Sequence, residues 1–361
     1  MNIVFRTDAS TMMGSGHVMR CLTLADALRE KGHQVSFVCR KYPGNLNHII
    51  SKNKFEVREL FFEDAQLYQE QEYSNDYNRW LWVSTQRDAD ETLSFLRSTC
   101  VDWIIVDHYS LDVSWERQLR AVSKQIMVID DLANRQHDCD ILLDQNYYID
   151  SAVRYDELTP PYCMKLLGQN YALIRSNCVK IREQRMTAGK FNFSEIKKIV
   201  IFMGGSDINN MTLQILEYLH QHSILHKYNV DVILGASNLH KVEIENFCDL
   251  NKAVSYFIAP DNYTDFLIKA DLFIGAGGSS VYERCMSGIP SLVFSSAENQ
   301  RKICVDVACT GAHIFVENVN DLLGVFKKLT PELLRILSEK SIALFSDYQG
   351  ADGVVNAIQS C

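Results

Sequence analysis

The sequence has no long apolar run, no cysteine pattern and no excess of positive charge, and each absence argues against a class of protein. Its longest apolar runs have only the length of a strand, so we expect no stable membrane insertion. The eleven cysteines form no C-x-x-C pair and no zinc-like cluster with histidine, which predicts reduced thiols and no metal site. A net charge of −9 argues against binding of nucleic acid.

The composition and length predict a cytoplasmic protein with two globular domains. Met1 leads directly into a predicted strand, without the basic and long apolar segments of a signal peptide. The 361 residues, 47% of them hydrophobic and 22% charged, suffice for two ordinary cores. Because strands and helices alternate in both halves, we predict α/β domains over residues 1–160 and 196–361, the second with a C-terminal tail. Residues 161–195 are the predicted connector.

The first glycine-rich stretch lies between a predicted strand at residues 2–5 and a helix with apolar residues at helical spacing. Gly14 and Gly16 stand in the turn, and His17 opens the helix. A strand, a glycine-rich turn and a helix place a ligand at the carboxyl end of a parallel sheet. Glycines at this point let a phosphate-bearing ligand approach the backbone closely.

His17 is the candidate catalytic residue of this stretch. The start of a helix carries a partial positive charge, which disfavours an imidazolium and so predicts a neutral histidine able to accept a proton. The alternative is that Gly14 and Gly16 only make a tight turn and that His17 is a solvated residue of the first helical turn. The stretch alone does not separate the two interpretations.

Polar residues recur just after several apolar strands of the first half. In an open parallel sheet these strand ends meet at one crevice, so their recurrence predicts a binding cleft. Each one taken singly is equally typical of a strand terminator or a helix cap. Adjacent carboxylates point in different directions, so we do not interpret Asp130 and Asp131 as a dyad. The residues concerned are Arg6 and Asp8, Asp107 to Tyr109, Asp130 and Asp131, and Gln145 and Asn146.

A second glycine-rich stretch carries the more specific signal. A predicted strand runs into Gly277-Gly278, and Ser279 and Ser280 then open a helix. The N–H groups of the two serines, with their hydroxyls, suit a diphosphate. Glu283 lies one turn further, where its carboxylate could accept hydrogen bonds from a ribose. It has an alternative role as the capping-box partner of Ser280, which stands three residues before it.

Several of these stretches, taken in order, resemble one family. The motifs are Arg6-x-Asp8, Gly14-x-Gly16-His17-Val18-Met19-Arg20-Cys21-Leu22, Asp107-His108-Tyr109, Asp130-Asp131-Leu132-Ala133, Asp144-Gln145-Asn146, Leu167-Gly168-x-x-Tyr171-Ala172-Leu173, Gly277-Gly278-Ser279-Ser280-x-x-Glu283-Arg284 and Asn299-Gln300. Together they resemble the UDP-2,4-diacetamido-2,4,6-trideoxy-β-L-altropyranose hydrolases of pseudaminic acid biosynthesis. The chain departs from the shorter members in an acidic stretch at residues 63–77, predicted to be a solvated insertion or surface helix, and in the tail after residue 319.

The resemblance implies an α/β fold of two Rossmann-like domains that face a central cleft, as in GT-B glycosyltransferases. It implies hydrolysis of a UDP-sugar at the anomeric C–O bond with inversion, without a metal or cofactor. His17 would then be the base, Tyr109 and Asn299 would line the sugar pocket, and Glu283 would hold the ribose. The remaining substrate-binding residues would be Arg6, Asp8, Gly14, Gly16, Gly277, Gly278, Ser279, Ser280 and Gln300.

Three other interpretations stay open at this point. A GT-B glycosyltransferase would pass the sugar to an acceptor other than water, although the N-terminal half has no apolar or basic run suited to a lipid acceptor. A UDP-sugar-binding protein without activity is a second alternative, and attack at phosphorus is a third. We expect a monomer whose partner is its UDP-sugar.

Overall fold

The computed structural model describes residues 1–62, 77–97 and 100–361, and these alternate parallel strands with helices in two compact units. Unit 1 comprises residues 1–173 together with 348–361, and unit 2 comprises residues 174–347. Most of the acidic stretch predicted as an insertion, residues 63–76, lies outside the described residues.

Unit 1 contains a parallel seven-stranded sheet in the order β3-β2-β1-β4-β5-β6-β7. Its inner strands β1, β4, β5 and β6 are mostly buried, as expected where both faces of a parallel sheet are covered, whereas the edge strand β3 is largely polar. The strand order reverses between β1 and β4, and the crevice at such a point is where open α/β sheets bind ligands. The strands are β1 (Asn2–Thr7), β2 (Gln34–Arg40), β3 (Glu56–Leu60), β4 (Val101–Asp107), β5 (Ser123–Ile129), β6 (Ile141–Asp144) and β7 (Met164–Leu167).

The helices of unit 1 cover this sheet. Leu24 and Leu28 of the first helix pack in the same core cluster as Phe5 of the central strand β1. Short 3₁₀ turns at Tyr77–Trp80, Ser151–Val153 and Gln169–Tyr171 complete the unit. Its α-helices before the final one are α1 (Gly16–Glu30), α2 (Asn47–Lys52), α3 (Thr85–Leu96) and α4 (Val113–Leu119).

Unit 2 repeats the scheme with a parallel six-stranded sheet in the order β10-β9-β8-β11-β12-β13. Here the order reverses between β8 and β11, so the corresponding crevice lies at the carboxyl ends of these two strands. The strands are β8 (Lys198–Phe202), β9 (Asn229–Leu234), β10 (Val254–Ile258), β11 (Leu272–Ala276), β12 (Ser291–Phe294) and β13 (Ile314–Phe315).

The helices of unit 2 begin with a short pair and then follow the strands. Short 3₁₀ turns lie at Leu225–Lys227 and Val319–Asp321. No helix among the described residues combines the length and the apolar character needed to cross a membrane. The α-helices are α5 (Ser176–Val179), α6 (Ile181–Thr187), α7 (Met211–Gln221), α8 (Lys241–Leu250), α9 (Tyr263–Lys269), α10 (Ser280–Met286), α11 (Glu298–Cys309), α12 (Leu322–Lys328) and α13 (Pro331–Ala343).

The end of the chain packs in unit 1, whereas the sequence analysis assigned residues 196–361 to the second domain. The last helix, α14 (Gly350–Ser360), places Val354, Val355 and Ile358 in the core cluster that contains Leu24 and Leu28 of α1. This apolar stripe is at helical spacing, and burying it requires a partner surface, which unit 1 supplies. The predicted connector at 161–195 is likewise divided, since β7 belongs to unit 1 and α5 begins unit 2.

Candidate active site

The loop after β1 delivers His17 to the carboxyl edge of the first sheet. Gly14 adopts a φ of 75°, which favours glycine, and its N–H donates to the carbonyl of Ser10. Helix α1 then begins at Gly16 behind Ser15, whose side chain makes no capping hydrogen bond, and its first turn contains no acidic residue. His17 is therefore held at the uncapped start of a long helix, with only 7% of its surface exposed.

His17 is paired with a carboxylate that fixes its tautomer. Its Nδ1 lies 2.6 Å from Oδ1 of Asp107, the last residue of β4, which neighbours β1 in the sheet. Nη2 of Arg20 lies farther from Nδ1, at 3.3 Å, and can only donate. The shorter contact is to a carboxylate, which accepts, so Nδ1 carries the ring proton and donates it, which leaves Nε2 as the basic nitrogen. Within the part of the chain that the structure describes, Nε2 has no hydrogen-bonding partner. This arrangement suits a general base.

Arg20, one turn after His17, holds Asp107 in its ionised form. Its Nε lies 2.6 Å from Oδ2 of Asp107 and its Nη2 2.6 Å from Oδ1, while Nη1 lies 3.0 Å from Oδ2 of Asp131. Burial by itself would raise the pKa of Asp107, but the charge of Arg20 and the hydrogen bonds from Arg20 and His17 hold that pKa well below its ordinary value. The sequence analysis included Arg20 in a motif without giving it a role.

An aromatic group surrounds the His17 ring. Tyr109 meets it edge-on at 4.5 Å between ring centroids and donates its hydroxyl to Oδ1 of Asp131 at 2.5 Å. Trp80 lies 5.5 Å from the Tyr109 ring and 6.2 Å from the His17 ring, and Tyr77 contacts both Trp80 and Tyr109. The sequence analysis predicted Tyr109 but missed Trp80, which follows the acidic stretch and belongs to no recognisable motif.

Arg6 and Asp8 are fully buried rather than exposed at the site edge. They form an ion pair at 2.8 Å, and Arg6 also binds Asp88 of α3 through Nε and Nη2 at 3.1 and 2.7 Å. Asp8 accepts the backbone N–H of Arg40 at 2.6 Å. These contacts fix the loop that carries Gly14 and His17. We therefore expect Arg6 and Asp8 to affect a substrate by holding that loop in place and not by direct contact.

Asp130 and Asp131 point in different directions, as the sequence analysis expected. Asp131 accepts from Arg20 and Tyr109, whereas Asp130 accepts from Arg135 at 2.6 Å. Gln145 supports the chain rather than the site edge, since its buried Oε1 accepts the backbone N–H of Leu173. For Gln145, the geometry therefore fits the alternative interpretation, in which the residue terminates a strand.

Tyr155 joins two buried carboxylates at the ends of β5 and β6. Its hydroxyl oxygen lies 3.0 Å from Oδ2 of Asp130 and 3.1 Å from Oδ2 of Asp144. A phenol has only one proton to donate, so a hydrogen bond to both carboxyl groups requires that one of them is protonated. Burial and the neighbouring charge of Asp131 raise the pKa of Asp144 to about 8, which identifies Asp144 as the protonated partner.

The second candidate cluster lies at the carboxyl end of β11 in unit 2. Only glycine fits at position 277, because a Cβ there would lie 2.1 Å from Sγ of Cys304. A Cβ at Gly278 would meet only Nε2 of Gln300, at 3.7 Å. Ser279 is exposed and Ser280 half-buried, so both serines are accessible at the turn.

Glu283 is held by an arginine and does not form the capping box. Its two carboxylate oxygens accept from Nε and Nη2 of Arg175 at 2.7 and 2.9 Å. Ser280 instead accepts a hydrogen bond from Nη1 of Arg284 at 2.9 Å. The alternative role of Glu283 as a partner of Ser280 is therefore not observed, and its role toward a ribose stays a prediction.

Asn299 and Gln300 lie in the first turn of α11. Gln300 accepts from the backbone N–H and the hydroxyl of Ser296 at 3.2 and 2.8 Å, which directs its amide nitrogen toward Gly278. Asn299 is half-buried, and within the described ranges its side chain has no hydrogen-bonding partner. Gly277 to Ser280 and Gln300 therefore lie together at this edge of the second sheet.

The other glycine turn of unit 2 is already occupied by a side chain. Asp207 follows Gly204-Gly205, and its carboxylate accepts the N–H groups of Met211 and Thr212 at the start of α7. This turn thus differs from the one at residues 277–280, since it has its own carboxylate. Among the described residues there is no group of three or more metal-ligating side chains placed to hold an ion.

Comparisons with known proteins define the fold of this chain. Residues 199–346 match the sequence model of the glycosyltransferase family 28 C-terminal domain. The whole chain is similar to MurG of Acinetobacter baumannii, with a TM-score of 0.62, 14% identity and coverage of 100% of this chain and 99% of that one. It is also similar to the Streptomyces sp. SF2575 glycosyltransferase SsfS6, with a TM-score of 0.63, 13% identity and full coverage of both chains. The chain therefore has two parallel-sheet α/β domains of the GT-B glycosyltransferase fold.

Among curated proteins, the chain is similar to the UDP-2,4-diacetamido-2,4,6-trideoxy-beta-L-altropyranose hydrolase of Campylobacter jejuni subsp. jejuni serotype O:2. The two are 26% identical over 315 residues, which are 87% of this chain and 98% of that protein. A weaker similarity, 25% over 118 residues, links 33% of this chain to 35% of the spore coat polysaccharide biosynthesis protein SpsG of Bacillus subtilis. The resemblance predicted from the short motifs is thus confirmed over most of the chain.

Proposed function

We propose that this protein hydrolyses a UDP-sugar at the anomeric C–O bond and releases UDP and the free sugar. The observation that carries the proposal is the His17–Asp107 pair, in which Nδ1 is committed to the carboxylate and Nε2 is left to accept a proton. The similarity to the Campylobacter jejuni hydrolase supports UDP-2,4-diacetamido-2,4,6-trideoxy-β-L-altropyranose as the substrate and pseudaminic acid biosynthesis as the pathway.

In the proposed reaction, Nε2 of His17 removes a proton from water as the water oxygen attacks the anomeric carbon. Asp107, kept ionised by Arg20, stabilises the imidazolium that forms. Water attacks the face opposite to the departing UDP, so the sugar is released with inverted configuration. Tyr109 is proposed to contact the sugar, because its ring lies against His17.

The leaving group is proposed to bind to the residues of unit 2. The diphosphate is assigned to Gly277 to Ser280 and the ribose to Glu283, with Asn299 contacting the sugar and Gln300 the nucleotide portion. A diphosphate leaves readily once its charge is compensated, and donors aimed at its oxygens can do this without a metal. The carboxylate of Glu283 retains lone pairs for ribose hydroxyls beyond those that Arg175 uses.

The experiment is turnover of the diacetamido UDP-sugar in water with EDTA and without any acceptor. We expect release of UDP and of a sugar with inverted configuration, read by nuclear magnetic resonance. His17→Ala should retain UDP binding and lose about 10²–10⁴-fold in turnover, the usual contribution of a general base. UDP release that requires an added acceptor would contradict hydrolysis and favour a glycosyltransferase, and near-normal turnover by His17→Ala would refute the assigned base.

A further inference from the structure

Arg284 is a fully buried cation in unit 2 that has no carboxylate partner among the described residues. Buried charges in proteins are normally paired, because an unpaired charge loses its hydration without compensation. The buried arginines of unit 1 follow this rule, since Arg6, Arg20 and Arg40 each contact at least one aspartate. Arg284 departs from it.

The contacts of Arg284 surround the second glycine turn. Its Nη2 donates to the carbonyl of Ala276 at 2.8 Å, its Nη1 donates to Oγ of Ser280 at 2.9 Å, and its Nε has no partner within the described residues. The neighbouring Glu283 makes no hydrogen bond to it, since both oxygens of that carboxylate accept from Arg175. Burial lowers the pKa of Arg284, so its surroundings in the protein alone disfavour the charge.

The hydrogen bond from Arg284 leaves the Ser280 proton without an acceptor. A guanidinium can only donate, so the Ser280 oxygen accepts and its own proton points elsewhere. Within the described ranges the Ser280 hydroxyl donates to no other group, and the residue is half-buried at the accessible turn. A hydroxyl polarised by a cation behind it is a stronger donor toward an anion.

We propose that Arg284 is a positioning residue that holds the turn at residues 277–280 and polarises the Ser280 hydroxyl for a nucleoside diphosphate. This inference rests on the proposed function and specifies which side chains would recognise the diphosphate. The bound diphosphate would supply the negative charge that Arg284 lacks among its neighbours, and the Ser280 hydroxyl would donate the hydrogen bond to it. UDP should therefore gain affinity from this pair, whereas uridine should not.

Arg185 offers a matched control in the same unit. It is also fully buried and forms no ion pair with a described carboxylate, but its Nη1 donates to the carbonyls of Leu267 and Ala270 at the end of α9. Those carbonyls form the negative end of a helix, which compensates a cation. Both arginines also lie over an aromatic ring, Arg185 over Phe191 and Arg284 over Phe273, and both have a nitrogen without a partner among the described residues. They differ in that Arg284 contacts the glycine turn and Arg185 does not, so Arg185 controls for the loss of a buried arginine away from the turn.

The test compares the binding of UDP and uridine by titration calorimetry to the full chain and to three variants. We expect Ser280→Ala and Arg284→Met each to lose about tenfold or more in UDP affinity, as for the loss of a charge-assisted hydrogen bond, with uridine affinity changed less than twofold. The double variant should lose no more than Arg284→Met alone, because the two residues act through one contact. Arg185→Met should lower the melting temperature and leave the ratio of UDP to uridine affinity unchanged.

An unchanged UDP-to-uridine ratio in Ser280→Ala would overturn the inference, and this variant is informative even if Arg284→Met does not fold. Equal losses for UDP and uridine in Arg284→Met would also overturn it, since they would indicate a purely structural arginine. Failure of the proposed function would give a different result from failure of this inference. A wild-type protein that binds UDP with this ratio but does not release UDP from the UDP-sugar contradicts hydrolysis and leaves the role of Arg284 supported.

Discussion

At the residue scale, the carboxylates of unit 1 differ in ionisation because their partners differ. Asp107 faces Arg20 and His17, and its pKa lies well below the ordinary value. Asp144 faces Asp131 and Asp130 with Arg154 as its nearest cation, and burial and Asp131 raise its pKa to about 8. The same side chain thus serves as a fixed anion in one place and as a proton donor to Tyr155 in the other.

Asp107→Asn should abolish the basic tautomer of His17. The amide can donate to Nδ1, which would place the ring proton on Nε2 and remove the acceptor that faces the proposed water. We expect turnover to fall by about 10²–10⁴-fold, as for loss of the base itself, with UDP affinity little changed. Asp131→Asn is the control, because Asp131 also binds Arg20 but does not contact His17. Similar losses in both variants would contradict the tautomer argument and indicate that the cluster acts through Arg20 or Tyr109, which both bind Asp131.

Asp144 predicts a pH dependence of stability with a definite sign. Its raised pKa means that the folded protein keeps a proton that the unfolded chain loses above about pH 4, so stability falls as pH rises toward 8. One such group contributes at most about 1.4 kcal/mol per pH unit. Asp144→Asn mimics the protonated form and should flatten this slope in urea denaturation between pH 5 and 8. An equal slope in wild type and variant would contradict the assignment of the proton to Asp144.

At the element scale, apolar patterning predicted most of the strands and helices. Strands and helices alternate in both halves as predicted, and the strand predicted at residues 2–5 lies within β1 (Asn2–Thr7). The partner of His17 was not predictable, because Asp107 lies 90 residues away and reaches it only through the pairing of β1 with β4. Local patterning carries no information about strand order, and it cannot tell which side chains at a sheet edge touch.

Local sequence patterns could not predict where α14 packs or that Trp80 belongs to the aromatic group around His17. The apolar stripe of α14 indicates that this helix must be buried, but the choice of unit 1 depends on the tertiary path of the chain. Trp80 lies in a 3₁₀ turn with no motif of its own. By contrast, the turn at Gly277 could be predicted, because the backbone geometry of a tight strand-to-helix turn restricts which residues can occupy it.

Gly277→Ala should disrupt the turn between β11 and α10. The added methyl group would overlap Sγ of Cys304, and overpacking of this kind costs about 1–3 kcal/mol. Gly278→Ala, where the nearest atom would be 3.7 Å away, is the control and should leave the urea midpoint within a small margin of wild type. Adding Cys304→Ala to Gly277→Ala should restore part of the loss. No recovery in the double variant would show that the clash is not the cause.

At the scale of the whole molecule, the proposed recognition of a dianionic diphosphate by a protein of net charge −9 would depend on local features. At physiological ionic strength the screening length is about 8 Å, so distant carboxylates contribute little at the turn beside Arg284. Arg20 is neutralised by Asp107 and Asp131, whereas Arg284 has no carboxylate of its own in the described part of the chain. Unit 1 is therefore proposed to transfer the proton and unit 2 to compensate the charge of the diphosphate.

The measurement that tests the central claim most directly is turnover of the diacetamido UDP-sugar in ¹⁸O-labelled water, with EDTA and without an acceptor. Mass spectrometry of the released UDP shows which bond breaks. Attack of water on the anomeric carbon, as proposed for His17, predicts unlabelled UDP and label on the sugar. UDP that carries the label would place the attack at phosphorus and contradict the account.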